Sequence, residues 1–305
     1  MPAPDLIGRA QSSDGTGIAY QVYGTSGPFV VFGNGIGVTH ASLALQLNEL
    51  RRSFRVVCWD HRGIAGSKGV SERPPSTNRD TSRDADKDRQ TVTPVASHAG
   101  DCLAVMDALA IERAHYVGWS MGAQVGFEVL RLAPERISRL VALSGVAGRI
   151  FQGALPFAGL ERALGWMIEG AMPLVPRFSP LARRLIATRA SFALAKGIGF
   201  VGTMASPESF MGMLRGVAEL DHVAYLQTLI GLGEHDAMDV LKKTDVPLLF
   251  VGGRRDRLTP VALLESLARQ AANARVHIVE GGTHFALIEA PDEVNAVIED
   301  FLLRP

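Results

Sequence analysis

Short runs of consecutive apolar residues alternate along this chain with longer stretches whose apolar residues recur every three or four positions. The short runs read as strands buried on both faces, and the longer stretches as helices with one apolar side. Strands are expected at 29–32, 54–59, 115–117, 137–143, 247–251 and 276–279. Helices are expected at 43–50, 95–109, 123–132, 261–271 and 293–303. Ahead of them, residues 7–10 and 18–23 flank Ser13-Asp14-Gly15-Thr16-Gly17, whose residue types favour a turn, so a hairpin opens the chain. Buried strands alternating with one-sided helices predict an α/β fold, a mostly parallel, doubly wound sheet with helices on both faces. The hairpin adds two antiparallel strands at its start.

Two segments break the alternation. Residues 71–93 carry five acidic and five basic side chains, two prolines and almost nothing apolar, which predicts a solvated loop. Residues 147–235 contain no convincing strand and read as helical, with segments at 160–168, 181–194 and 210–229. The expected division is a core domain of residues 1–146 and 236–305 and an all-helical lid of residues 147–235, inserted after the sixth strand. The insertion holds Met167, Met172, Met204, Met211 and Met213, five of the nine methionines. Methionine fits irregular apolar shapes. These side chains therefore either fill the insertion's own core or form the inner face of an apolar pocket.

Composition narrows the class. Of 305 residues, 47% are hydrophobic and 20% charged, which is enough apolar material for a sizeable core. The 31 basic and 31 acidic residues cancel, so no overall field recruits nucleic acid or an acidic membrane. No apolar stretch approaches the ~20 residues of a membrane span. The N-terminus lacks the basic-then-apolar pattern of a secretory leader. Cys58 and Cys102 have no C-x-x-C neighbour and read as buried free thiols in a reducing compartment. The expectation is a cytoplasmic protein acting on a small neutral or apolar molecule, with oligomeric state open and a homodimer among the options.

The chemistry centres on Gly118-Trp119-Ser120-Met121-Gly122, between the strand at 115–117 and the helix at 123–132. A Gly-x-Ser-x-Gly run in that setting holds a serine on a sharp strand-to-helix turn, with its hydroxyl outward. A serine needs a base to take its proton, and the base needs an orienting acid. Both belong on loops after parallel strands, where sites in such sheets gather. Asp256 follows the strand at 247–251, and His284 follows the strand at 276–279 in a glycine-rich turn. The other histidines fit less well. His277 lies inside a strand, His115 opens one and His98 is mid-helix, while His40, His61, His222 and His235 fall in loops or the insertion. Asp245 precedes its strand, and Asp60 ends a strand upstream of the serine. Asp256 has a structural reading too, as a carboxylate four residues before Pro260 at a helix N-terminus.

An attacked carbonyl becomes an oxyanion, which backbone N–H groups must receive. The expected donors are Met121, directly after the serine, and Ile36, in Gly33-Asn34-Gly35-Ile36-Gly37. A plain glycine-rich turn is the alternative for that loop. Trp119, Asn34 and Gly35 are the expected substrate neighbours, although the Trp119 indole could equally pack in the core. No metal or organic cofactor is needed.

These segments together resemble the α/β-hydrolase family over nearly the whole chain. Residues 118–122 are similar to its nucleophile elbow, and Asn34-Gly35-Ile36-Gly37 to its HGxG oxyanion loop. Asp60-His61-Arg62-Gly63-Ile64-Ala65-Gly66-Ser67 resembles its D-x-R-G-x-G-x-S turn. Gly253-Arg254-Arg255-Asp256 and Gly281-Gly282-Thr283-His284 resemble the segments carrying its acid and histidine. Asn34 stands where the family usually has histidine, and Ala65-Gly66 moves a glycine by one place. The resemblance implies ester hydrolysis through an acyl-enzyme. C–C bond hydrolysis and cofactor-free perhydrolysis use the same three residues, and some members of the fold are ligand-binding receptors with slow or no turnover. Members that open epoxides or displace halides use an aspartate where this chain has Ser120.

Overall fold

The computed structural model describes residues 1–67, 93–149, 167–168, 170–186, 188–218 and 220–304. Strands β1 (Leu6–Gln11) and β2 (Gly17–Tyr23) form the opening hairpin. They are followed by β3 (Phe29–Gly33), β4 (Arg55–Trp59), β5 (Ala114–Trp119), β6 (Ile137–Leu143), β7 (Leu248–Gly253) and β8 (Ala274–Val279). The eight form one sheet in the order β1-β2-β4-β3-β5-β6-β7-β8, parallel from β4 onward and antiparallel at the hairpin. The chain runs outward from β3 to β4 and then returns to the other side of β3 with β5. The order therefore reverses between β3 and β5, where the carboxyl ends of such strands open a crevice.

Among the described residues the helices in chain order are α1 (Ala44–Leu50), α2 (Val95–Ala108), α3 (Met121–Leu132), α4 (Val175–Ile186), α5 (Arg189–Gly197), α6 (Pro207–Ala218), α7 (His222–Glu234), α8 (Met238–Lys243), α9 (Val261–Gln270), α10 (Ala286–Glu289) and α11 (Pro291–Leu303). Four of them, α4 to α7, belong to the insertion after β6. Period-two alternation sends neighbouring strand residues to opposite faces. Val31, Tyr116, Leu140 and Phe250 enter one core with Cys102, Phe127 and Leu264. Phe32, Val117, Val141 and Val251 enter the other with Leu47, Ile298 and Phe301. Covering both faces explains why these strands read as unbroken apolar runs.

Each expected core strand and helix is present within a few residues of its expected place. The insertion differs more. The helix expected at 181–194 is two helices, α4 and α5, because the Thr188 hydroxyl accepts the Ser191 N–H and starts a new helix. The helix expected at 210–229 is also two, α6 and α7, since Asp221 caps the second by accepting from Val223 and Ala224 N–H. The segment at 160–168, except Met167 and Ile168, and the loop at 71–93, except Thr93, lie outside the described residues.

Cys58 and Cys102 are free and wholly buried. Burial pushes both thiols far above their ordinary range, with Asp60 and Asp101 adding to it. The thiolate is the reactive form. An aromatic disulfide reagent is therefore expected to leave both thiols unmodified in the native protein and to react with both in guanidinium. Thiol titration under the two conditions measures this.

Candidate active site

At the crevice, β5 passes into α3 through Ser120, whose backbone sits at φ 53°, ψ −116°. L-residues rarely adopt that conformation, and it persists only where the surroundings enforce it. Here the Ser120 N–H donates to the Leu143 carbonyl at 2.8 Å, and its own carbonyl accepts from Ala123 N–H at 3.0 Å. The flanking glycines are required by contact. A Cβ on Gly118 would lie 2.3 Å from the Gly122 carbonyl oxygen, and one on Gly122 would lie 2.2 Å from that of Gly33. The first turn of α3 thus packs backbone to backbone against the end of β3.

Asp256 and His284 reach the same point from the loops after β7 and β8. His284 Nε2 lies 3.0 Å from Ser120 Oγ, and its Nδ1 lies 2.9 Å from Asp256 Oδ2. Asp256 Oδ1 accepts the N–H groups of Leu258 at 2.8 Å and Thr259 at 3.0 Å, and the Thr259 hydroxyl donates to Oδ2. Burial works to raise the Asp256 carboxyl, but the hydrogen bonds from His284 and Thr259 outweigh it and hold it below the usual carboxylate range. Asp256 is therefore an anion, which places a proton on Nδ1 of His284. With the imidazole neutral, that tautomer turns the Nε2 lone pair toward the serine hydroxyl.

Above Ser120 opens a cavity of about 270 Å³. Trp119, Gly35 and Ile36 line it, together with Phe210 and Met213 from α6 and Leu229 from α7. Apart from Ser120, His284 and Tyr225, the described side chains around it are apolar, and none is Lys, Arg, Asp or Glu. Of the insertion's methionines only Met213 is among those described around it, while Met167 and Met204 are exposed. Trp119 both faces the cavity and packs into the core. It lines the cavity, yet it is buried with its indole N–H on the His284 carbonyl at 3.2 Å and its ring against Phe285.

Asn34 is elsewhere. Its side-chain amide donates to the Trp59 carbonyl at 3.0 Å, and its backbone carbonyl accepts from His61 Nε2 at 3.0 Å, so it holds the loop from behind rather than lining the cavity. Met121 opens α3, where the N–H groups of the first turn have no partner within the helix. Ile36 sits across the crevice on the β3 loop.

In the turn at 60–67, Asp60 accepts from Gly66 N–H at 3.2 Å, and Arg62 clamps Asp101 with contacts of 2.8 and 2.6 Å. Ala65 there has φ 40°, at the position where the resembled pattern carries glycine. The shift of glycine to position 66 thus leaves a Cβ in the left-handed region.

Glu289 escaped sequence reasoning. This buried carboxylate accepts from Thr283 N–H at 2.6 Å, from the Thr283 hydroxyl at 2.7 Å and from Gly202 N–H, tying the His284 loop to the insertion. Nothing in its surroundings along the chain marks it. Among the described residues, no group of three or more His, Cys, Asp or Glu is arranged to hold a metal, and no helix is long and apolar enough to cross a membrane.

A mostly parallel sheet covered by helices on both faces, with a helical insertion after β6, is the architecture of the α/β-hydrolase class. The chain belongs to the alpha/beta hydrolase family, whose model matches residues 30–297. It is 25% identical over 303 residues to a Caulobacter sp. protein provisionally named a carbamate hydrolase, RutD, covering 96% of this chain and 98% of that one. It is 22% identical over 277 residues to 3-oxoadipate enol-lactonase 2 of Acinetobacter baylyi, covering 91% and 89%. Among solved structures, an esterase from Exiguobacterium antarcticum matches with a TM-score of 0.75 at 18% identity, over 98% of this chain and 100% of that one.

Proposed function

We propose that this protein hydrolyses small uncharged carboxylic esters through an acyl-enzyme on Ser120. The observation that carries the reading is the hydrogen-bonded chain Ser120–His284–Asp256 at the floor of an otherwise apolar cavity. His284 takes the Ser120 proton on Nε2 as Oγ bonds to the acyl carbon, and Asp256 steadies the imidazolium. The N–H groups of Ile36 and Met121 receive the oxyanion. Collapse breaks the bond to the alcohol oxygen, which takes the proton from His284. A water then gives its proton to His284 and attacks the acyl carbon, releasing the acid and restoring Ser120. Residues 147–235 act as the lid that roofs the acyl pocket.

Two relatives carry names of esterase or lactonase activity, which supports an acyl–oxygen bond as the one cleaved. The cavity argues for a particular acyl group. A substrate whose acyl half ends in a carboxylate meets no Lys or Arg among the described lining residues, whereas an alkyl chain meets Phe210, Met213 and Leu229. Each buried methylene contributes up to ~0.8 kcal/mol. On p-nitrophenyl esters, kcat/KM is therefore expected to rise by about tenfold or more from acetate to hexanoate. Met213→Trp, which fills the cavity, should flatten that rise. A fluorophosphonate probe should label Ser120. Absence of both p-nitrophenol release at every chain length and probe labelling would sink the reading, and favour the receptor alternative.

A further inference from the structure

Beside the oxyanion loop, sharing Ile36 and Tyr225 with the large cavity, lies a small chamber of about 10 Å³. It sits on the seam between core and insertion, bounded by Ile36 and Met121 on one side, His61 and His98 on another, and Tyr225 and Thr228 of α7 on a third. Two fully buried histidines meet there, with ring centroids 5.0 Å apart and edges turned to faces. The proposed mechanism uses neither.

Their hydrogen bonding is incomplete. His61 Nε2 faces the Asn34 carbonyl at 3.0 Å, and a carbonyl can only accept, so Nε2 carries a proton. Burial lowers the affinity of both rings for a second proton, and the neighbouring His61 and Arg62 reinforce this at His98. In its neutral form His61 therefore presents a bare lone pair at Nδ1. His98, neutral as well, has one N–H and one lone pair. None of these three ring nitrogens finds a partner among the described residues. The charged groups bordering the chamber are already engaged, Arg62 with Asp101 and Asp14, and Asp221 with the first turn of α7. Thr228 donates its hydroxyl to the Ala224 carbonyl at 2.9 Å, which leaves its oxygen free to accept. The chamber has room for about one water, and a buried water wants two to four polar partners. Here a single water can accept from His98 and donate to His61 Nδ1 and Thr228 Oγ1.

We propose that this chamber is a one-water site, and that the bridged His61–His98 pair holds the Asn34 carbonyl and thereby the Ile36 N–H in place, making His61 a positioning residue. The role of Ile36 rests on the function proposed above; the water site does not. The coupling is short. The carbonyl that His61 grips belongs to a residue only two positions before Ile36, and the Asn34 side chain is pinned to Trp59 in the same way.

A high-resolution crystal structure of the wild-type protein tests the site first. Density for one water within hydrogen-bond reach of His61 Nδ1 and a His98 nitrogen is expected, and a dry chamber overturns the proposal. Kinetics test the positioning. His61→Leu is expected to lower kcat on p-nitrophenyl hexanoate about 10- to 100-fold, with KM changed less than about threefold, since ground-state binding by the apolar pocket is untouched. His61→Gln, whose amide can still donate to the Asn34 carbonyl, should recover most of that loss. An unchanged kcat in His61→Leu, or an equal loss in His61→Gln, would overturn it. Should the leucine variant fail to fold, the glutamine variant and the wild-type density still decide. A wild-type enzyme inactive on all esters would instead refute the proposed function, while the density measurement would still judge the water site.

Discussion

Ser120→Ala is expected to reduce ester turnover by about ten-thousand-fold or more, and to abolish fluorophosphonate labelling. The size follows from the site's geometry. No other hydroxyl is described around the cavity within reach of His284 Nε2, so losing Oγ removes the nucleophile rather than weakening one contact. Stability should respond differently. Alanine keeps the Cβ that makes φ 53°, ψ −116° unfavourable, so Ser120→Ala stays near the wild-type melting temperature. Ser120→Gly is equally inactive but relieves that strain, and should be more stable than the alanine variant by about 1 kcal/mol. Paired assays of p-nitrophenyl ester release and thermal melting check both halves. Near-wild-type turnover in either variant would remove Ser120 from the mechanism.

Gly122→Ala is expected to destabilise the core by about 3 kcal/mol or more. The new Cβ would meet the Gly33 carbonyl oxygen at 2.2 Å, its carbon at 2.5 Å and the Asn34 oxygen at 2.9 Å. All three are backbone atoms, so no rotamer change relieves the contact. Either α3 or the loop after β3 must move, and with it the spacing between Met121 and Ile36. Turnover should therefore fall even in the fraction that folds. Gly100→Ala is the control. It lies in α2 with nothing within 4 Å of a built Cβ, so helix propensity should make it neutral or slightly stabilising. Denaturant unfolding of the three proteins compares them. Equal midpoints for the wild type and Gly122→Ala would contradict the close packing.

The core was legible because strands buried on both faces write unbroken apolar runs, such as 137–143, and amphipathic helices write a different period. The positions of Ser120, Asp256 and His284 followed from the same pattern, since each lies on the turn or loop after a parallel strand and the sheet brings those ends together. The insertion was less legible for a physical reason. A one-residue cap such as Thr188 or Asp221 ends one helix and begins another without disturbing the apolar period on either side. Asn34 is an expected substrate neighbour by its place in the glycine-rich loop with Gly35 and Ile36. Its short side chain turns backward to Trp59 instead, a direction that no linear pattern encodes. Glu289 and the His61–His98 pair were invisible for a similar reason. Their partners, Gly202 and Asn34 among them, lie far away in the chain, and only the folded packing joins them.

The insertion enters and leaves the sheet between adjacent strands, since β6 and β7 pair directly with Leu143 beside Val251. Its ends are thus held together by the sheet whatever lies between them. Closing a longer excursion adds chain entropy only logarithmically, about 0.6 kcal/mol for each doubling of length. Helices can accordingly be added, removed or exchanged there at little thermodynamic expense, while the strands beneath keep Ser120 and His284 in register. Diversification of such a chain would be fastest in the roof of its pocket and slowest in the floor.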